Sequence, residues 1–147
     1  GSNSVKYHLP APSREEKMKI EHVALWARDI EAMQGFYCRY FQAKPGPCYV
    51  NEKKRFRSCF LQFDSGARLE LMERPDIADL PKVACDTQFL GYAHLALAVG
   101  SEEAVNALTH QLVSDGYVRL DGPRWTGDGY FESVILDPEG NRVEITI

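Results

Sequence analysis

Two stretches of this chain, HVALWARD at 22–29 and HLALAVGS at 94–101, open on histidine and continue with the same apolar alternation. A second pair repeats further on: FDSGARLELM at 63–72 lies over LDPEGNRVEIT at 136–146, with one extra residue in the second turn. Each half thus carries His near its start and Glu near its end, and each Glu follows an Arg by two positions. The intervals, 22 to 70 and 94 to 144, differ by only two residues. A duplicated structural unit explains such self-similarity better than chance does, and it limits the fold to two copies of one supersecondary arrangement.

The order of elements is the same in both halves. KIEHVALWA alternates like a strand, and Asp29 then caps an amphipathic helix with Ile30, Met33, Phe36, Tyr37, Tyr40 and Phe41 at helical spacing. KPGPCYVNEKK punctuates with Pro and Gly before a short strand, and RSCFLQFDSGARLELME reads as a hairpin about Asp64-Ser65-Gly66. In the second half YAHLALAV is a strand. SEEAVNALTHQLVSDG is a helix with Ser101 at its N-cap and Gly116 past its end. YVRLDGPRW is a short strand and turn, and the chain closes on a hairpin about 137–140. The expectation is an α+β fold of two tandem βαβββ modules. Module one is 19–73, a proline-bearing linker is 74–90, and module two is 91–147. Together they make a single domain at 19–147 behind a flexible extension at 1–18.

Strand alternation sorts the repeated residues onto faces. Val23 and Leu25 oppose His22, Ala24 and Trp26; Leu95, Leu97 and Val99 oppose Tyr92, His94, Ala96 and Ala98. Leu69 and Leu71 oppose Arg68, Glu70 and Met72, and Val143, Ile145 and Ile147 oppose Arg142, Glu144 and Thr146. The branched faces belong against the helices. Two His and two Glu are left on the other faces, each His beside a small alanine. A lone strand His is more often a hydrogen-bonded residue than a ligand, and a lone strand Glu is usually solvated. Finding both twice in register favours a shared site, provided the halves pair about a pseudo-two-fold axis. Two carboxylates in a partly dry pocket repel each other, and a divalent cation relieves this while neutral imidazoles complete the set. Two nitrogens and two oxygens suit Zn, Ni, Co, Mn or Fe(II) better than a sulfur-rich structural site.

Charge and length exclude other classes. A net charge of −4 over 147 residues argues against a general nucleic-acid or anionic-membrane surface. The one dense basic run, KKRFR at 53–57, reads as a solvated loop or strand start. No apolar stretch approaches a membrane span, and no signal-peptide pattern is visible, so cytoplasm is the expected location. The cysteines Cys38, Cys48, Cys59 and Cys85 form no Cys-x-x-Cys pair and read as reduced, packing thiols.

With IEHVALW, RLELM, YAHLAL and DPEGNRVEI, the chain resembles the vicinal oxygen chelate superfamily from about Lys19 to Ile147. This superfamily takes in glyoxalase I (lactoylglutathione lyase), bleomycin resistance proteins and dioxygenases. Glu at position 70 resembles the glyoxalase I branch, where epimerase relatives usually place Gln. The resemblance implies a curved, incomplete barrel around one metal ion, Zn or Ni foremost, held by His22, Glu70, His94 and Glu144. It implies isomerisation of a 2-oxoaldehyde thiol hemithioacetal, such as that of methylglyoxal, to a 2-hydroxyacyl thioester through an enediolate, with Glu144 or Glu70 moving the proton. It also implies a small-molecule substrate and a homodimer, since this fold often completes its pocket across an interface.

Glutathione-using relatives often carry Arg four positions after the first His, where this chain has Trp26. An indole makes no charge-assisted pair with a carboxylate. Trp26, Arg68, Arg142 and Tyr130 are the candidate substrate contacts; Arg68, Arg142 or Arg124 could supply the missing guanidinium, and Trp26 reads as wall packing ahead of substrate stacking. RWTGDGYFES at 124–133 is either a lid or a plain hairpin connection, and Tyr130 and Glu132 face either substrate or solvent. Two alternatives stand beside the isomerase: an Fe(II) dioxygenase, against which a fourth protein ligand argues, and a non-enzymatic drug-binding resistance protein, against which the full donor set argues.

Overall fold

Asp29 accepts a hydrogen bond from the Ala32 N–H, and Ser101 accepts one from Ala104, so each module starts its helix on the cap legible in its sequence. The computed structural model describes residues 9, 10 and 17–147, and the extension expected at 1–18 falls largely outside them. Module one runs β1 (His22–Trp26), α1 (Ile30–Phe41), β2 (Lys44–Asn51), β3 (Phe56–Gln62) and β4 (Arg68–Glu73). Module two repeats this order as β5 (Leu95–Ala98), α2 (Glu102–Ser114), β6 (Arg119–Trp125), β7 (Phe131–Leu136) and β8 (Arg142–Thr146). The sheets have matching orders, β1-β4-β3-β2 and β5-β8-β7-β6, and remain two separate four-stranded sheets. In each, the first strand runs parallel to the last, β1 with β4 and β5 with β8. The fold is the expected α+β pair of βαβββ modules.

Three local details depart from the sequence reading. β2 takes Pro45 and Pro47 into a full eight-residue strand. It is the edge of its sheet and shifts register between Pro45 and Cys48, which is where a missing N–H is tolerated. β5 begins at Leu95, not Tyr92, because its partner begins pairing at Val143; His94 therefore stands just ahead of the strand. The cysteines are not all reduced. Cys48 and Cys59, cross-strand neighbours of β2 and β3, form a disulfide, while Cys38 and Cys85 remain thiols. Eleven residues of sequence separate that pair, a spacing with no motif in it, and only the β2–β3 register brings the sulfurs together.

One core serves both modules. Leu61, Leu69 and Leu71 from the first sheet join Ile135, Val143 and Ile145 from the second, with Met33 of α1 and Leu112 of α2, in a single buried cluster. Each such side chain contributes about 1.5–3 kcal/mol on burial. α1 is the joint. Its Phe36 packs on Tyr117 at 5.1 Å between ring centroids, and its Tyr40 O–H donates to Asp115 at 2.5 Å; burial, and then this bond, push the phenol up to about 12. The β7–β8 turn seats on the start of the same helix: the Arg28 and Asp29 N–H groups donate to Glu139 Oε1 at 2.7 and 2.9 Å. Beneath it the buried Tyr37 O–H donates to buried Asp137 at 2.8 Å.

Burial pushes the Asp137 carboxyl up, while Tyr37 and Asn141 pull it back down. A folded state that holds a carboxyl proton more tightly than the unfolded chain loses stability as pH rises through the folded pKa. Tyr37→Phe removes one of the groups opposing that rise. It should cost about 1.5–3 kcal/mol near neutrality and distinctly less near pH 4; urea denaturation across that range measures it.

Candidate functional site

The parallel pairings fix where the repeated residues stand. Ala24 lies opposite Glu70 across β1 and β4, and Ala96 opposite Glu144 across β5 and β8, the same register in both modules. Each histidine precedes its alanine by two residues on the same side and so meets the glutamate. His22 Nε2 is 3.7 Å from Glu70 Oε1, and His94 Nε2 is 2.8 Å from Glu144 Oε1. Both glutamate side chains are 16% exposed, and the imidazoles 40% and 42%. The small alanines leave the ground between them open. Phe60 sets its ring edge-on to His22 at 5.3 Å, and Glu21 approaches the other imidazole nitrogen at 3.4 Å.

The four do not gather at one centre within a chain. Among the described residues no three His, Cys, Asp or Glu side chains collect within reach of a single ion. Both sheets give the faces that bear Leu69, Leu71, Val143 and Ile145 to the shared core, and the His–Glu pairs stand on the opposite faces. A hollow of about 510 Å³ lies under the linker, between β1 and the start of β5, with His94 on its lining.

The substrate-contact candidates divide. Trp26 (39% exposed) and Arg68 share the His22–Glu70 face. Arg68 is already paired with Glu21, whose carboxyl it holds below the usual range, and it lies over the Phe60 ring at 4.0 Å. Arg142 donates to the Asp86 carbonyl in the linker, and Arg124 makes a two-pronged pair with Asp121 at 3.0 and 2.9 Å. Tyr130 sits at the exposed end of the β6–β7 connection. That connection is a tight turn closed by Thr126 N–H to Tyr130 O and Gly129 N–H to Thr126 O, so it is a hairpin link. Glu132 is the residue whose importance the sequence reading left open. Burial pushes its carboxyl up, a hydrogen bond with Glu144 and the Glu144 charge push it further, and the nearby His94 pulls it down. The alternation of FESVIL, with Phe131, Ser133 and Ile135 buried, was the signal for its orientation.

Each pair suits half of a metal's shell. Ligands at 2.0–2.2 Å from one ion, at right or tetrahedral angles, stand about 3–3.6 Å apart. The His–Glu spacings of 2.8 and 3.7 Å bracket that range. Imidazole nitrogen with carboxylate oxygen is also a donor chemistry that borderline divalent ions accept. Two such halves, brought face to face, make a complete N₂O₂ set.

The sequence model of the Glyoxalase/Bleomycin resistance protein/Dioxygenase superfamily matches residues 19–145, and the chain belongs to that superfamily. No curated protein gives a significant match. Among solved structures, the trypanothione-dependent glyoxalase I of Leishmania major superposes with a TM-score of 0.69 at 16% identity, covering 88% of this chain and 86% of that one. A glyoxalase family protein from Enterococcus faecalis gives 0.69 at 23% identity, over 88% and 97%. A glyoxalase I variant from Zea mays gives 0.70 at 18%, over 87% of this chain and 44% of that one. At these identities the likeness is one of fold.

A carboxyl whose folded pKa is raised loses stabilising effect as pH rises through it. Glu132→Gln keeps a donor toward Glu144 without a second charge. Thermal midpoints of the metal-free variant and parent should coincide near pH 4 and separate toward pH 8, the variant melting higher.

Proposed function

We propose that this member of the Glyoxalase/Bleomycin resistance protein/Dioxygenase superfamily is a metal-dependent isomerase of glyoxalase I type. Its substrate class is the thiol hemithioacetal of a 2-oxoaldehyde, and its product a 2-hydroxyacyl thioester. The observation that carries this is the duplicated His–Glu pair, at identical register beside an alanine in both modules. A single such pair is an ordinary strand ion pair; two, related by the repeat, are two halves of one donor set.

Since one chain holds the halves apart, a second copy supplies the missing half. His22 and Glu70 of one protomer would face His94 and Glu144 of its partner, and a homodimer would contain two such sites. These four residues would hold one divalent ion, Zn or Ni foremost. When bound, such an ion would supply Lewis-acid stabilisation of the negative charge that develops on the substrate oxygens as the proton leaves. Glu144 takes the proton from the hemithioacetal carbon that bears sulfur and hydroxyl, and returns it to the neighbouring carbonyl carbon. The hydroxyl proton of the first carbon ends on the oxygen of the second, so the atoms balance with no co-reactant. Glu144 is preferred to Glu70 because a second carboxyl, that of Glu132, stands beside it and has no counterpart beside Glu70, where β3 carries Ser58. Ala24 and Ala96 leave room for the two substrate carbons.

Among the described residues no helix is long and apolar enough to cross a membrane. The reading carries the family's expectation of a cytoplasmic setting. The Cys48–Cys59 disulfide stands against it, since such bonds persist mainly in oxidising compartments.

Protein loaded with Zn or Ni should convert methylglyoxal–thiol adducts to thioester, followed by ultraviolet absorbance. Glu144→Gln should lower kcat by about 10²–10⁴, and Glu70→Gln should chiefly weaken metal retention. Protein that takes up no metal, and whose melting temperature neither chelator nor added Zn or Ni moves, would instead support the drug-binding alternative. Oxygen consumption with Fe(II) would support the dioxygenase.

A further inference from the structure

The sheet of module one carries a run of aromatic surface next to the His22–Glu70 pair. Trp26 and Phe56 meet edge to face at 6.2 Å, and Phe56 meets Tyr49 at 6.2 Å. The register puts all three on the His22 side: Trp26 opposite Met72, Met72 opposite Ser58, and Ser58 opposite Tyr49. Trp26 is 39% and Tyr49 57% exposed, so ring area is left uncovered. The track begins two residues along β1 from Ala24, about 7 Å from the level of Glu70.

Among the described residues, the two guanidiniums that lie against this surface are already paired. Arg68 pairs with Glu21, and Arg74, lying over the Trp26 indole at 5.2 Å, donates to Asp76 at 2.6 Å. The exposed cations Lys53, Lys54 and Arg55 lie in the β2–β3 turn, past Phe56. A carboxylate arriving at Trp26 would lose water and, among the described residues, meet guanidiniums that are already paired. An uncharged planar group would cover exposed ring area, where aromatic contacts contribute beyond simple burial.

We infer that the substrate presents an uncharged planar or apolar group to a wall formed by Trp26, Phe56 and Tyr49, and not the carboxylate of a glutathione-type thiol. The inference rests on the proposed chelating site for its starting point, since the group extends from oxygens held at the His–Glu donors. The wall itself is there whether or not a metal binds.

The test uses the dimer in a Trp125→Phe background, which leaves Trp26 the sole indole of the chain's two. Zn-loaded protein is titrated with acetohydroxamate, biphenyl-4-carbohydroxamate and the 4′-carboxy derivative of the latter, by calorimetry and indole emission. The biphenyl probe should bind about tenfold tighter than acetohydroxamate and quench Trp26, and the added carboxylate should abolish the gain. Trp26→Leu should remove the gain, and Tyr49→Ala, at an exposed position, should reduce it. Equal affinities for the first two probes, or tighter binding of the carboxylated one, would overturn the inference. If no hydroxamate binds in a metal-dependent way, the chelating site fails on its own, and metal-free protein decides the wall. There, 2-naphthol should quench Trp26 and 2-naphthoate should not. Quenching by neither, as when a second protomer covers the wall, or by naphthoate in preference, would overturn it.

Discussion

One hydrophobic core shared by two repeated sheets sets what everything else in this chain can do. Each strand has two faces, and the face bearing Leu69, Leu71, Val143 and Ile145 is committed to that core. His22, Glu70, His94 and Glu144 are left on the opposite faces, the imidazoles partly exposed and the glutamates mostly covered. α1 locks the arrangement by seating on both Tyr117 and the β7–β8 turn, so the modules cannot fold toward each other over their His–Glu faces without breaking buried contacts such as Tyr37–Asp137. The separation of the two pairs follows from the same packing that makes the fold stable.

Much of this was legible in the sequence because it is local or repeated. Asp29 and Ser101 announce their helices, the 2.0 period separates the apolar faces from the polar ones, and the duplication pairs each His with the Glu it meets in its own module. What failed was non-local. Whether two faces converge depends on how the modules dock, and no strand pattern reports that. The Cys48–Cys59 bond depends on the register of β2 against β3, including a shift between Pro45 and Cys48. The start of β5 depends on where β8 begins to pair, which moves His94 out of the strand. The arginines were visible as charges, but that Arg68, Arg124 and Arg142 are each occupied by Glu21, Asp121 and the Asp86 carbonyl could be seen only in the fold.

The repeat is symmetric in its donors and asymmetric around them. Module one lines the face of its pair with Phe60, Phe56, Trp26 and Tyr49; module two sets Glu132 beside its pair, with Arg124 opposite Glu132 on β6. Position 58 of β3 is serine where its counterpart on β7 is Glu132, since Ser58 faces Met72 as Glu132 faces Thr146. Duplicated ligands with diverged surroundings are what a chelating site needs if one side is to hold a substrate group and the other to move a proton. The aromatic side has little to offer a proton, and the acidic side has little to offer an apolar group.

The central claim is that a working site joins module one of one protomer to module two of another. It is tested by mixing two defective variants, His22→Ala/Glu70→Ala and His94→Ala/Glu144→Ala, through unfolding and refolding, and then counting tightly bound divalent metal per chain. Each variant alone should bind none. The mixture should recover about a quarter of the parent's sites, because half of the dimers are mixed and each of those has one intact site of two. A mixture as empty as its parts, when the unmutated chain fills its sites, would contradict a site built from two protomers.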